Sequence, residues 1–356
     1  MTSRLQKHRT VKLSMTRIYY KYHILHDGAE KGEIFPEEPP TMTCDADAEV
    51  KISLNGKFKY DSTIDWLHDR IFVEQIKDGV VHPLYEFLVI TAEKVHDKDG
   101  KNLWNITGYD EGIEAARKTT ETRLFFEKGR KYTDAIQEIL TRYLNISRLI
   151  VEDSVEILRT DREDWEVGTP YITVINTLLS EINYNSLWFD FNGFARLSRY
   201  RPPGEADVSH YYIAGQNSII KEEISISNDV YNKYNVFTAV VSTPDTNEVL
   251  FAQSVNDSPS SRISTVNIGR YQAPIEKPDN IASQEELQRY VDNLRLKSMM
   301  STDVVPFKTE CVPHSVRELV AISHNMVDGV YEEISWKMQL SFDGEMQHKA
   351  KKVIYE

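Results

Sequence analysis

The chain has 356 residues, and 42 Lys and Arg stand against 55 Asp and Glu, a formal net charge of −13. At about 150 residues per domain this length predicts roughly two to three domains. The 40% hydrophobic and 10% aromatic content excludes wholesale disorder, and two cysteines, Cys44 and Cys311, exclude a disulfide framework or a cysteine zinc cluster.

Positions 18–25 read as a strand, and the proline-containing stretch 33–40 as an extended connection, because proline removes ladder donors. From 46 to 110 the texture is β. The alternation in 48–54 predicts a strand, and Asn55-Gly56 predicts a hairpin turn, since both positions tolerate positive φ. Further strands are predicted at 69–76, 82–90 and 102–109, with turns at Asp78-Gly79 and Lys98-Asp99-Gly100.

From 111 to 200 the pattern turns helical. Ala135, Ile136, Ile139, Leu140 and Leu144 form one apolar stripe, with Thr133 as the expected N-cap. A second helix is expected from Thr169-Pro170 through Ile182, and a hairpin over 187–197 turning at Asn192-Gly193. From 205 the chain returns to β, with strands expected at 219–226, 233–242, 249–255, 304–310 and 319–324. Two more hairpins turn at Asp328-Gly329 and Asp343-Gly344. A helix near 283–299 interrupts them. Ser283 and Glu286 fit a capping box, and Leu287, Tyr290, Val291 and Leu294 form its stripe.

The charge balance argues against a protein that grips nucleic acid, because that requires Lys and Arg to replace condensed counterions. A local basic patch is open at Arg4, Lys7, His8, Arg9, Lys12, Arg17, Lys21 and Lys31. No apolar run approaches the ~20 residues that span a bilayer, and no signal peptide is visible, so folding in a cytosol is expected. None of the familiar nucleotide, zincin, hydrolase or EF-hand motifs occurs.

Weaker constellations have blander readings. His23, His26 and Asp27 offer metal ligands, but three-residue spacing unites them only on a helix, and the segment reads as strand. Asp161, Glu163, Asp164 and Glu166 around Trp165 suit calcium or an exposed acidic loop. Glu74, Asp78 and Glu86 suit a glycosidase pair or a solvated sheet face. Cys311 and His314 suit a thiol nucleophile but lack an evident orienting partner. Tyr19, Tyr20 and Tyr22 suit stacking on bases or sugars, or simply strand packing. The reading carried forward is therefore no catalytic, cofactor or metal residue and no enzyme, with weight on a protein that works by shape and contact.

The ordered set of motifs resembles the hub proteins of phage tails and baseplates, including the late control protein D type and hubs of phage-tail-like bacteriocins and related contractile injection systems. It begins with Asp69-Arg70-Ile71, Asp78-Gly79-Val80-Val81-His82-Pro83-Leu84-Tyr85-Glu86-Phe87 and Trp104-Asn105-Ile106-Thr107-Gly108-Tyr109-Asp110. It continues with Tyr132-Thr133-Asp134-Ala135, the acidic loop 160–169, Ile175-Asn176-Thr177-Leu178-Leu179, residues 182–188 and Tyr200-Arg201-Pro202-Pro203. Tyr234-Asn235-Val236, the stretch 256–261 and Gly269-Arg270 complete it.

The resemblance implies an α+β, mainly β chain: an N-terminal extension over 1–45, a tail-tube-like antiparallel β-barrel over 46–118, an α+β domain over 119–204, and a second tube-like barrel over 205–356. It implies a homotrimeric symmetry adaptor in the virion tail, assembled in the host bacterial cytoplasm, that joins the sixfold tail tube to the threefold central spike. Its partners would be the tube, spike, tape-measure and other baseplate proteins, with no specific nucleic-acid binding. The net charge suggests an acidic lumen. A tail-tip cell-wall hydrolase and a carbohydrate- or receptor-binding module are the alternatives.

Overall fold

The computed structural model describes residues 17–200, 208–215, 218–221, 224–228, 233–243, 248–278, 281, 283–299 and 303–353. The basic residues Arg4, Lys7, His8, Arg9 and Lys12 and the Arg201-Pro202-Pro203 motif lie outside them.

The first β unit contains β1 (Ile18–His26), β2 (Ala29–Glu33), β3 (Thr41–Asp45), β4 (Ile52–Lys59), β5 (Asp69–Lys77), β6 (Val80–His96) and β7 (Asn102–Tyr109). Strict alternation places Tyr22 and Ile24 inward from β1, and Ile71 and Val73 inward from β5. The expected turn at Asp78-Gly79 forms, with φ of +52° and +84°. The expected turn at Asn55-Gly56 does not. β4 runs straight through both residues. Gly56 is there for space: a Cβ on it would meet Pro40 Cβ at 2.8 Å.

An α+β unit follows: α1 (Gly112–Arg117), α2 (Tyr132–Glu138), β8 (Leu149–Val151), α3 (Tyr171–Glu181), β9 (Trp188–Phe189) and β10 (Ala195–Leu197). α2 leads directly into a π-helical turn, Ile139–Tyr143. Its stripe is buried as expected, but Lys131 rather than Thr133 holds the N-cap position. Thr133 lies inside the helix, and its hydroxyl donates to Asp153 Oδ1 at 3.3 Å. In α3 the cap position falls on Pro170, one residue later than expected, and the Thr169 hydroxyl donates to Glu166 O at 2.7 Å. The 187–197 hairpin forms, with Gly193 at φ +70°.

The second β unit contains β11 (Val208–Ile213), β12 (Ser227–Asn228), β13 (Val236–Thr243), β14 (Glu248–Val255), α4 (Thr265–Ile268), α5 (Gln284–Met299), β15 (Asp303–Glu310), β16 (Leu319–His324), β17 (Val327–Gln339) and β18 (Glu345–Lys352). The β13–β14 hairpin packs on α5, where Leu287 and Val291 are fully buried. Half of the expected capping box is present, Glu286 N donating to Ser283 Oγ at 3.1 Å. The 219–226 strand is not continuous among the described residues; Ile220 makes an isolated bridge and β12 starts at Ser227. Asp328-Gly329 is not a turn either. It lies inside β17, opposite Ser323 and Ile322, and the chain reverses at Asn325-Met326.

The two β units repeat one plan. Strand order is β1-β5-β6-β7-β4-β3 in the first and β11-β16-β17-β18-β15-β12 in the second, so the strands correspond in chain order. The registers correspond too. Tyr109 of β7 faces Leu88 and Ser53, and Lys351 of β18 faces Glu332 and Val304. Counting from those pairs, each long middle strand skips one residue at the same step, Ile90 in β6 and Ile334 in β17. Thr43 opposite Ser53 matches Ser227 opposite Val304. The Pro36–Phe58 bridge matches the Ile220–Thr309 bridge. β11 departs from the plan, running parallel to β16 where β1 is antiparallel to β5.

β3 pairs with β17, so the units merge into one sheet. Among the described residues no ladder closes either unit into a barrel, in contrast to the closed barrels expected. The fold is α+β, mainly β, with an open strand path from β2 to β12. Among the described residues the isolated Pro36–Phe58 and Ile220–Thr309 bridges, with the few backbone hydrogen bonds around them, stand where a closing ladder would.

Candidate assembly interface

The seam between the units is built from alternating residues of β3 and the end of β17. Met42 faces Met338, Cys44 faces Trp336, and Thr43 faces Lys337. Ile334, the residue that β18 skips, turns its carbonyl across the seam to accept from Ala46 N at 2.9 Å. Leu340 N donates to Pro40 O at 2.8 Å at the other end. Met42, Cys44, Trp336 and Met338 are all buried, so one apolar core runs through the seam. Arg317 sits over it. Its guanidinium donates to Glu332 Oε1 at 3.1 Å and Ala46 O at 3.3 Å, and pairs with Asp47. Gln75 Nε2 donates to Cys311 O at 3.2 Å, a further tie between the units.

A groove of about 600 Å³ lies along this seam, lined by Thr43, Asp45, Ser53, Ser335 and the cations Lys51, Lys308, Lys337 and Lys349. The excess of acid in the chain as a whole is thus not carried by this face.

A second cluster was not foreseen in the sequence. His210 from β11, His314 and Glu318 from the loop before β16, Glu333 from β17 and His348 from β18 meet in the core of the second unit. His314 Nδ1 lies 2.7 Å from Glu333 Oε2 and 3.0 Å from Glu318 Oε2, and its Nε2 is 2.6 Å from the Tyr212 hydroxyl. His210 Nε2 lies 3.1 Å from Glu318 Oε2. His348 pairs with Glu333, and its Nε2 is 2.8 Å from Thr309 Oγ1. Burial opposes charge on His314, but the Glu333 and Glu318 carboxylates outweigh it and carry its pKa up to about 9. Burial likewise opposes charge on Glu318, yet His210 and His314 bring it down to about 2. Burial pulls His348 down, and the Glu333 carboxylate offsets only part of that. The one local signal was Glu333 and His348 at inward strand positions, where alternation calls for apolar residues.

The weighed constellations do not assemble. His23 lies 2.9 Å from Glu30 and 3.1 Å from Glu74, while His26 pairs with Asp69 at 2.7 Å. Glu86 does not face Glu74, since Phe72 is its partner across the ladder. It takes Arg70 at 3.0 Å and Arg148 at 2.9 Å, tying the α+β unit to the first sheet. Asp78 Oδ1 accepts from Arg17 N at 2.9 Å. The acidic loop is organised by Arg162, which pairs with Asp164, forks onto Glu181 at 2.7 and 3.1 Å, and lies 4.7 Å from the Trp165 ring. Asp161 Oδ1 accepts from Lys128 N at 2.7 Å. Burial pushes the Cys311 thiol up to about 11, the wrong direction for a nucleophile, and its Sγ donates to Gln339 O at 3.3 Å. Of the tyrosines, Tyr22 is buried edge-on to Phe58 and Tyr19 is exposed, as strand alternation requires.

No protein-family model and no curated protein sequence matches the chain. Solved structures do. The tail protein from Neisseria meningitidis MC58 is similar with a TM-score of 0.68 at 12% identity, over 94% of this chain and 97% of its own. The prophage MuSo2 43 kDa tail protein from Shewanella oneidensis gives 0.65 at 13%, over 94% and 98%. Prophage tail protein gp18 from Listeria monocytogenes EGD-e gives 0.61 at 10%, over 92% and 94%. The chain therefore has the fold of phage-type tail proteins, in agreement with the family that its motifs resemble. No helix among the described residues is long and apolar enough to cross a membrane.

Proposed function

We propose that the protein is a structural hub of a phage-type tail or baseplate, a homotrimer that adapts the sixfold tail tube to a threefold central spike. The observation that carries this reading is the strand-for-strand repeat of two β units within one chain. Three chains supply six such units, which is the number a sixfold partner requires. In this reading the two repeating β units are the two tube-like domains, the first taking in β1–β3 together with 46–118 rather than leaving 1–45 as an extension, the second lying in 205–356, and 119–204 is the additional α+β domain. The partners are the tube, spike, tape-measure and other baseplate proteins, and the location is the virion tail. The role is one of shape and contact, without catalysis; Glu74 and Glu86 are spent on ion pairs and lend a hydrolase no support.

Mass photometry of the purified chain tests it, with an expected species of three times the 41.2 kDa chain mass. Particle images should place that species where tube meets spike. A stable monomer or dimer at every concentration would sink the reading.

A further inference from the structure

The repeat specifies a second seam, between chains. Within the chain, β3 at the edge of the first unit lies against the β17 segment that continues beyond β16, with Thr43 opposite Lys337 and Met42 opposite Met338. Each partner has a counterpart. Thr43 and Met42 correspond to Ser227 and Ile226 at the edge of the second unit, through their shared positions opposite Ser53 and Val304. Lys337 and Met338 correspond to Glu93 and Lys94 in β6, through their partners Gln347 and Met346 on β18 and Asn105 and Trp104 on β7.

Among the described residues both counterparts stand without a strand on their outer edge. β12 pairs with β15 alone among the described residues. β6 pairs with β5 only as far as Leu88, and on that side Thr91–Val95 faces no described strand. Row after row of unpaired N–H and C=O groups on such an edge is a template for another chain. The apolar residue on the β12 side agrees, while Lys94 stands where the internal seam has Met338. Met42 is fully buried under the internal seam, whereas its counterpart Ile226 is 43% exposed.

We propose that Ser225, Ile226 and Ser227 of one copy add antiparallel to Val95, Lys94 and Glu93 of the next, reproducing between chains the β3–β17 seam within the chain. The proposal rests on the trimeric reading above and names the surfaces that build it. The contact is head to tail, because it joins two different surfaces. It closes after three chains, since six equivalent steps complete the ring. Ile226 is then covered as Met42 is.

The test is the double variant Glu93→Cys with Ser227→Cys, oxidised and run on a non-reducing gel beside each single variant. Directly opposed residues of an antiparallel pair lie within disulfide reach, and the native Cys44 and Cys311 are buried and do not compete. The expected result is covalent dimer and trimer in the double variant alone, with the ladder ending at three. Ile226→Asp should shift the measured mass from trimer to monomer with an unchanged circular dichroism spectrum, because Ile226 is exposed within the chain. A wild-type trimer that gives no cross-link in the double variant, or keeps its mass with Ile226→Asp, overturns the seam and leaves the hub reading standing. A ladder that runs past three overturns ring closure. A wild-type chain that never leaves the monomer overturns both.

Discussion

Arg162 shows what a single side chain does in this molecule. It is one of the largest fully buried side chains, and its fork holds Glu181 while its plane covers Trp165. Burial alone drives the Glu181 pKa up, and Arg162 opposes that. Arg162→Ala leaves a buried carboxylate without its partner and is expected to cost about 3–5 kcal/mol in urea denaturation. Arg162→Lys should recover only part, because an ammonium lacks the planar fork.

The His314 cluster adds a pH signature. The His314 pKa is raised from 6.5 to about 9, so its contribution is complete below pH 6.5 and is lost as pH rises through 9. The Glu318 pKa is lowered from 4.5 to about 2, so its contribution is present above pH 4.5 and is lost as pH falls toward 2. His348, held neutral by burial, loses stability as pH falls below 6.5. Wild type should therefore lose melting temperature between pH 7 and 9.5, and His314→Gln should flatten that alkaline fall. An equal fall in both proteins would assign the loss to other groups.

At the scale of elements, the strands owe their limits to neighbours more than to local turn signals. Asn55-Gly56 and Asp328-Gly329 both have the composition of hairpin turns, yet both lie within strands. Pairing on both edges, β3 with β7 for β4 and β16 with β18 for β17, contributes more than one local turn can. Gly56 is kept by the closeness of Pro40, whose carbonyl also accepts from Leu340 across the seam. Gly56→Ala should displace Pro40 and cost about 1–3 kcal/mol, the range for overpacking a tight contact. A value near zero by chemical denaturation would show that Pro40 moves freely. The strand and helix stripes themselves were legible in the sequence, since period 2 and period 3.6 follow from local geometry. The His–Glu cluster was not, because its members are separated by up to 138 positions, from His210 to His348, and meet only when four segments pack.

For the molecule as a whole, the equivalence of the two units makes a paired prediction. Met42→Ala should destabilise the isolated chain by about 2–5 kcal/mol, because it opens a cavity under the seam. Ile226→Ala at the equivalent position should change the isolated chain by at most about 0.5 kcal/mol. Its effect belongs to the assembled state. Denaturation of dilute protein separates the two; equal losses would mean that Ile226 is already covered within the chain.

The order of motifs along this chain was enough to suggest the fold of tail proteins by resemblance, and the β, α+β, β succession was legible because strand and helix stripes are written locally. The repeat itself was not readable: Met338 and Lys94, or Ile106 and His348, share no side-chain chemistry. Backbone pairing alone relates them, and a ladder accepts many side chains at one register. Which edges are joined within the chain and which are left open was likewise decided only when strands remote in sequence were brought side by side.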